Sequence, residues 1–336
     1  MTTLSSDVQS EAQVRPYPVS GVLTLGIDDA PLCQQSPDAS IERQSELRVR
    51  VKHHSQPWTL SCGMVVEVAD ANPGRLRVGQ EYFLKMFDRR FAHQHRQDNG
   101  RGPWSQRVED QLVESVLTGK AEHFLHRLHT EDDFWQDEEE EWEEAENEAF
   151  LDDGLRKLFT AETEAYARLR EYQGTKIPRL VAKVVLDTSP SPPLNRAANS
   201  GPLFKINGIL LEYLPGFTMS SMTEKAPQGS WQGIVDEAVG VTRLLGDKGI
   251  LNADVRPDNF MVVPEEGGYR VCMVDFGQCR FRRPDESDQD WGRDKWCQDE
   301  EGAVGIVMRM RLRRVGFTLS YEPSCRYLPW APGEDE

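Results

Sequence analysis

Two short stretches of this 336-residue sequence bear most directly on its fold: Asp254-Val255-Arg256-Pro257-Asp258-Asn259 and Val274-Asp275-Phe276-Gly277. The first follows WQGIVDEAVGVTRLLGDKG, whose apolar periodicity predicts a helix, so the motif is predicted to be a loop. The second ends an apolar strand-like stretch, YRVCMVDF, and its aspartate lies sixteen positions beyond Asn259. Phosphoryl transfer uses such a set, because one carboxylate orients the attacking hydroxyl while an amide oxygen and a second carboxylate hold Mg²⁺. The two stretches together predict a phosphotransfer site.

A lysine and a glutamate upstream complete this set of groups. Lys85 lies in the apolar strand-like stretch EYFLKMF, where a buried ammonium requires a partner. Glu162 is the predicted partner, because Tyr166 and Leu169 follow it at +4 and +7 on the same face of a helix. Glu164 is the alternative. A helix glutamate that aims a lysine at phosphates is the arrangement that phosphoryl transfer uses.

The apolar pattern predicts a mixed α+β chain. WTLSCGMVVEVAD and LRVGQEYFLKMFD, separated by the turn formers ANPG, predict a hairpin. RLVAKVVLD, FKINGILLEYL and FMVV predict further strands. FLDDGLRKLFTAETEAYARLREYQ predicts a helix of about five turns ended by Gly174 and Pro178, and EDQLVESVLTGKAEHFLHRLH and DEEGAVGIVMRMRLRRV predict two more helices.

The order of these motifs resembles the protein-kinase signature set: a strand lysine, a helix glutamate, D-x-[KR]-P-x-N and D-F-G. The phrases EYQGTKIPRL, VRPDNF and VDFGQCRFRR are similar to the atypical kinase-like proteins abundant in fungi. The resemblance covers roughly residues 58–86 and 150–310. It implies an α+β, two-lobed protein-kinase-like fold with a β-rich N-lobe and a shortened helical C-lobe, and it implies ATP and Mg²⁺ as cofactors between the lobes.

The resemblance also implies roles for the loop residues. Asp254 would be the catalytic base, and Asn259 and Asp275 would be the Mg²⁺ ligands. Arg256 stands where such enzymes usually place a lysine that touches the transferred phosphate, so the charge is kept but its geometry differs.

Upstream, the resemblance implies a nucleotide site. Lys85 would contact the α- and β-phosphates and pair with Glu162. The backbone of Glu212 and Leu214 would hydrogen-bond adenine. Around SCGMVVEV, Gly63 is the single glycine that corresponds to a glycine-rich phosphate loop.

The sequence departs from the kinase pattern in three places. Asn252-Ala253 replaces the usual His-Arg, so a switch through a phosphorylated activation loop is expected to be absent. No A-P-E follows the D-F-G motif, and 59 residues remain after Gly277. The platform for peptide substrates is therefore expected to be reduced or missing.

The predicted organisation has three parts: an N-terminal extension, partly disordered, a kinase-like domain and a polar tail. Their bounds are 1–50, 51–320 and 321–336. Within the domain, the N-lobe covers 51–214 with an acidic insertion at about 88–150, and the C-lobe covers 215–320.

Charge and composition indicate which classes of partner and which compartment suit this protein. A net charge of −17 argues against nucleic acid and membrane as partners. Scattered cysteines and the lack of an apolar run of about 20 residues indicate a cytoplasmic or nuclear protein. In residues 131–148, twelve of eighteen are acidic, which predicts a solvated insertion. Trp135 and Trp142 within it suggest the alternative, a docking site for a basic protein.

Three functions remain open on these residues. The first is transfer of the γ-phosphate of ATP to a hydroxyl of a protein Ser/Thr. The second is transfer to a small molecule, as in aminoglycoside- and choline-type kinases, because the peptide platform is reduced. The third is a pseudokinase, a nucleotide-binding or scaffold module without turnover, which the altered Asn252-Ala253 and the weak glycine loop favour.

Overall fold

The computed structural model describes residues 17–28, 46–70, 76–132, 134, 142–190 and 202–331. The strands are β1 Val22–Asp28, β2 Glu46–Ser55, β3 Cys62–Val68, β4 Glu81–Met86, β5 Leu180–Asp187, β6 Lys205–Glu212, β7 Phe217–Thr218, β8 Ile250–Asn252, β9 Phe260–Glu265, β10 Gly268–Met273 and β11 Cys279–Phe281. The α-helices are α1 His93–Asp98, α2 Gln106–Leu117, α3 Lys120–Thr130, α4 Glu144–Arg168, α5 Met222–Lys225, α6 Trp231–Asp247, α7 Asp288–Gln298 and α8 Glu300–Arg314. The predicted α+β class is confirmed.

The first six strands form a closed antiparallel barrel in the order β1-β2-β3-β4-β6-β5. Side chains of β2 alternate between exposed and buried, so Leu47, Val49 and Val51 fill the interior. Strand β1 contains the apolar stretch VLTLGI of the N-terminal extension, and β2 was not predicted. The domain boundary at residue 50 stays a prediction, although β2 crosses it and β1 pairs with β5.

The hairpin predicted before Lys85 is β3 and β4, and its turn formers at 72–74 lie outside the described residues. Leu84 and Met86 point into the barrel. Lys85 therefore points out of it, opposite Gly63 on one side and Ile209 on the other. The period of the strand places the lysine on the outer face, against which helix α4 packs.

Between β4 and α4 lies a small helical insertion. The helix predicted from EDQLVESVLTGKAEHFLHRLH is in fact two helices, because the chain turns at Gly119 with φ +76°. Trp142 packs against Phe124 and Phe134 in a separate apolar cluster. Trp135 lies outside the described residues.

The solvated character predicted for residues 131–148 is wrong at Glu148, which is buried. Its carboxylate accepts hydrogen bonds from Arg89 (2.7 Å) and from Arg96 (2.7 and 3.1 Å). A buried carboxylate requires such partners, because an isolated charge is costly away from water. These contacts fix the insertion to the start of α4.

Helix α4 is longer than predicted. It begins at Glu144, within the acidic run, where Glu143 and Glu146 form a capping box. It ends at Arg168 rather than at Gly174, and a short 3₁₀ turn follows. Its 25 residues carry both the anchor of the insertion and the predicted site glutamate.

The rest of the chain is mainly helical. Helices α6 and α8 pack against the hairpin β9–β10 and the pair β8–β11 around one large apolar core. The last described residues lie against α7 and α8: a Cβ at Gly292 on α7 would come within 2.3 Å of Trp330, and one at Gly305 on α8 within 2.1 Å of Tyr321. In the ranges described, no helix has the length and apolarity to cross a bilayer.

The fully buried Tyr166 on α4 gives a test of this core. Its ring packs edge-on against Phe276, with centroids 5.4 Å apart, but its hydroxyl has no hydrogen-bond partner among the described residues. Tyr166→Phe is expected to raise the free energy of unfolding by about 1 kcal/mol, because an unpaired buried hydroxyl is costly. Tyr166→Ala should lower it by about 3–5 kcal/mol. Urea unfolding measures both, and a less stable Phe variant would show that the hydroxyl is bonded.

Candidate active site

The centre of the site is one ammonium group shared by two carboxylates. Lys85 Nζ lies 2.5 Å from Glu162 Oε2 on α4 and 2.9 Å from Asp275 Oδ1 after β10. The structure therefore brings together three residues predicted from the sequence. Glu164 faces away and pairs with Arg168 instead. The register of the helix is the one that the spacing to Tyr166 predicted.

The two carboxylates differ in environment. Glu162 is fully buried, and burial raises its pKa to about 7, with the negative charge of Asp275 adding to this and Lys85 opposing it. The side chain of Asp275 is 38% exposed. Burial alone would raise the pKa of Asp275, but Lys85 lowers it. Asp275 is thus the ionised carboxylate at the open side, where a cation can approach.

Asp275 is held in an uncommon backbone conformation. Its φ is +68°, in the left-handed region that non-glycine residues rarely adopt. Its carbonyl accepts a hydrogen bond from Asn252 Nδ2 (3.1 Å), and its Oδ1 accepts one from the Gly277 N–H (3.4 Å). Strained backbone of this kind is concentrated at functional sites. These contacts orient the carboxylate toward Lys85.

The DVRPDN loop forms its own network. Asn259 Nδ2 donates to the Asp254 carbonyl (2.8 Å) and to Asp254 Oδ2 (3.0 Å), and the Asn259 carbonyl accepts from the Val274 N–H (2.8 Å). Arg256 lies 3.3 Å from Asp254 Oδ2, with half of its side chain exposed. Burial raises the pKa of Asp254, which makes this carboxylate a better proton acceptor.

The donor set suits Mg²⁺. Because Asn259 uses its amide nitrogen toward Asp254, its amide oxygen is the atom left for a cation, and the ionised Asp275 is the second oxygen donor. Hard oxygen ligands, few in number, fit an ion that keeps waters and phosphate oxygens in its shell. Within the described ranges, no group of three or more His, Cys, Asp or Glu side chains could hold a metal.

The sequence did not predict the buried ion pair that holds the backbone just before the DVRPDN loop. The Glu300 carboxylate, at the start of α8, accepts a hydrogen bond from the Asn252 N–H (2.8 Å) and forms a buried ion pair with Lys295. Lys295 also donates to the carbonyl of Ile250 (3.1 Å). Asn252 in turn accepts from the Asp254 N–H (2.9 Å). In the sequence, Asn252 was noted only because it replaces the usual histidine. In the structure, it links the DVRPDN loop to the VDFG motif.

The segment after β6 carries the predicted adenine contacts. The Glu212 N–H is already used, since it donates to the Arg179 carbonyl (2.9 Å), and the Leu214 carbonyl accepts from Gly216 (2.8 Å). Among the described residues, the Leu214 N–H donates no hydrogen bond. Gly216 is required here, because a Cβ would lie 2.3 Å from the carbonyl oxygen of Val262. Leu214 keeps a free donor, whereas the Glu212 N–H is not available.

Gly63 is not in a loop. It lies in β3 opposite Lys85, and its carbonyl accepts from the indole of buried Trp58 (2.9 Å). The loop before β3, residues 56–61, contains no glycine, and the Thr59 carbonyl accepts from the Gln94 N–H at the start of α1 (3.0 Å). This loop is therefore anchored by Trp58 and by the insertion.

Comparisons with known proteins show a likeness of fold. No protein-family model matches the sequence, and no curated protein matches it significantly. The solved structure of the Rio2 kinase–ADP/Mg²⁺–phosphoaspartate complex from Chaetomium thermophilum is similar to this chain, with a TM-score of 0.43 and 13% identity. The match covers 83% of this chain and 59% of that chain, so this chain spans less than two thirds of its length. The likeness concerns the kinase-like fold alone.

The buried pair of Glu300 and Lys295 can be tested by its effect on stability. Glu300→Ala should lower the free energy of unfolding by about 3–5 kcal/mol, because it leaves the Lys295 ammonium buried without its partner. The double variant Glu300→Ala with Lys295→Met should recover a large part of this loss.

The neighbouring Glu301 provides the control for this test. It pairs with Arg243, whose side chain is half exposed, so Glu301→Ala should cost about 1 kcal/mol or less. Denaturant unfolding of the four proteins measures these differences. Equal losses in the single and double variants would show that the buried pair does not stabilise the loop.

Proposed function

We propose that this chain is an ATP- and Mg²⁺-dependent phosphotransferase that transfers the γ-phosphate to a hydroxyl group. One observation carries the proposal: Lys85, buried and paired with Glu162, reaches the half-open carboxylate of Asp275. An ammonium in such a place is suited to phosphate oxygens, and the carboxylate beside it to the cation that accompanies them. A purely structural ion pair would not require a second, partly exposed carboxylate in a left-handed conformation.

Each polar group has a place in this proposal. Asn259 and Asp275 would hold Mg²⁺, which supplies charge neutralisation of the phosphates when bound. Lys85, aimed by Glu162, would hold the phosphates that do not react. The Leu214 N–H would bind the base, and the anchored loop at 56–61 would take the place of a glycine-rich loop.

Asp254 would act on the acceptor. Its carboxylate is oriented by Asn259, and its raised pKa suits it to align the attacking hydroxyl and accept its proton. Arg256, exposed and next to Asp254, would meet the negative charge that develops on the transferred group. The acceptor would be a protein Ser/Thr or a small molecule, and the acidic run 131–148 would dock a basic protein.

The second candidate is a nucleotide-binding scaffold without turnover. The loop at 56–61 favours it, because its attachment to α1 limits closure over the phosphates. Both candidates require the nucleotide site, and only the first requires the carboxylate of Asp254.

Binding is tested by heating. Mg²⁺-ATP should raise the melting temperature of the full chain, because a ligand of the folded state stabilises it by mass action. Asp275→Asn should remove most of the Mg²⁺-dependent part, since a neutral amide is a poorer ligand for a hard cation. Asp285→Asn, an exposed aspartate after the motif, is the matched control and should behave as the wild type. No shift at millimolar Mg²⁺-ATP would refute the nucleotide site.

Turnover is tested at Asp254. Asp254→Asn should lower the rate of phosphate transfer from labelled ATP to cell extract, split into protein and metabolite fractions, by roughly 10²–10⁴-fold. Binding of Mg²⁺-ATP should hardly change. The control is Asp258→Asn, an exposed aspartate of the same loop that should keep full activity. If wild type and Asp254→Asn transfer phosphate equally little while both bind the nucleotide, the scaffold function is the correct one.

A further inference from the structure

The last turns of α8 carry an unusual concentration of positive charge. Their sequence is Arg309-Met310-Arg311-Leu312-Arg313-Arg314, in which Leu312 is buried and the other five residues are exposed. At about 100° per residue, the five exposed side chains cover one continuous arc of the helix. Met310, which is 54% exposed, lies between the arginines. These five residues are called the arginine face below.

The arginine face has no internal neutralising partner among the described residues. Arg309 donates to the Tyr321 carbonyl (3.1 Å) and lies over its ring, and Arg311 donates to the Ser220 hydroxyl (2.9 Å). In the ranges described, the guanidinium groups of Arg313 and Arg314 make no hydrogen bond or ion pair. The whole chain has 56 acidic and 39 basic side chains, so carboxylates are abundant. Among the described residues, none of these four arginines forms an ion pair with a carboxylate.

The end of the helix does not require this charge. Gly316 adopts φ +79°, its N–H donates to the Arg313 carbonyl (3.1 Å), and the Phe317 N–H donates to the Leu312 carbonyl (3.0 Å). Backbone groups therefore already satisfy the last turn. The helix dipole favours cations here but acts over one turn. Four like charges at spacings of one to five residues repel one another and weaken the helix.

We propose that the arginine face docks an acidic peptide segment of a partner protein. Guanidinium groups pair with carboxylates through two parallel hydrogen bonds, which gives such a contact direction as well as charge. Met310 at the centre of the face and Val315 at the end of the helix, the latter 53% exposed, offer apolar contacts. The matching ligand is a run of Asp and Glu with an apolar side chain among them.

The overall charge selects a short ligand. With a net charge of −17, the protein repels extended polyanions such as nucleic acid and anionic membranes. A peptide segment lies within about one Debye length, roughly 10 Å, of the arginine face and therefore experiences the local positive charge. The peptide is thus favoured over a membrane surface.

The arginine face is linked to the DVRPDN loop by a short series of contacts. Arg311 reaches Ser220, and the 3₁₀ turn Met219–Ser221 contacts the turn Pro257–Asn259 of the DVRPDN loop. The arginine face is therefore connected to the loop that carries Asp254 through the turn Met219–Ser221. Docking itself does not depend on nucleotide or on phosphotransfer.

Fluorescence anisotropy tests the docking. A labelled peptide of about twelve residues, rich in Glu and Asp with one central Leu, is titrated with the full chain without nucleotide. Saturable binding is expected, weaker as salt rises from about 0.05 to about 0.3 M. Arg313→Gln with Arg314→Gln should weaken it about tenfold, since two exposed charge contacts are lost.

A matched double variant serves as the control. Arg77→Gln with Arg170→Gln removes the same charge from two other exposed arginines and should keep wild-type affinity. Equal weakening in both double variants, or in neither, would overturn the proposal. Binding to phosphatidylserine vesicles without peptide binding would also overturn it. The Mg²⁺-ATP melting shift should be the same in all three proteins, so this result is separate from that of the nucleotide site.

Discussion

The site depends on one buried ammonium that two carboxylates must share. Lys85 cannot be left alone on the outer face of the barrel, because an unpaired charge away from water is costly. Glu162 satisfies it from inside and Asp275 from the open side. Burial raises the pKa of Glu162, whereas Lys85 outweighs the effect of burial at Asp275 and lowers the pKa of that carboxylate. Three distant parts of the chain, β4, α4 and the end of β10, are therefore held at one point.

The second requirement is a rigid loop opposite this point. In place of the His-Arg expected from a kinase pattern, Asn252 contacts Asp275 and Asp254, and Glu300 fixes the backbone of Asn252. A buried ion pair is weak evidence of stability, because desolvation offsets most of the attraction. Here the Glu300–Lys295 pair acts by positioning: it joins the start of α8 to β8, the strand that precedes the loop. The departure in sequence is thus compensated by groups some 45 residues away in the chain, Lys295 and Glu300.

The sequence predicts best those features that depend on local periodicity. The spacing of Glu162 to Tyr166 and Leu169 predicted that this glutamate lies on the inner face of α4. In the structure Glu162 contacts Lys85 from that face, because its position follows from the repeat of a single helix.

Features that depend on distant contacts could not be predicted in this way. The pairing of Glu148 with Arg89 and Arg96 buries a carboxylate that the acidic run suggested was solvated. Likewise Gly63, expected over the phosphates, lies in a strand because Trp58 and the insertion hold the preceding loop.

That insertion is connected to the site through α4. Glu148 and Glu162 lie on one continuous helix, about 21 Å apart at 1.5 Å per residue. The contacts of the insertion therefore help to fix the glutamate that orients Lys85.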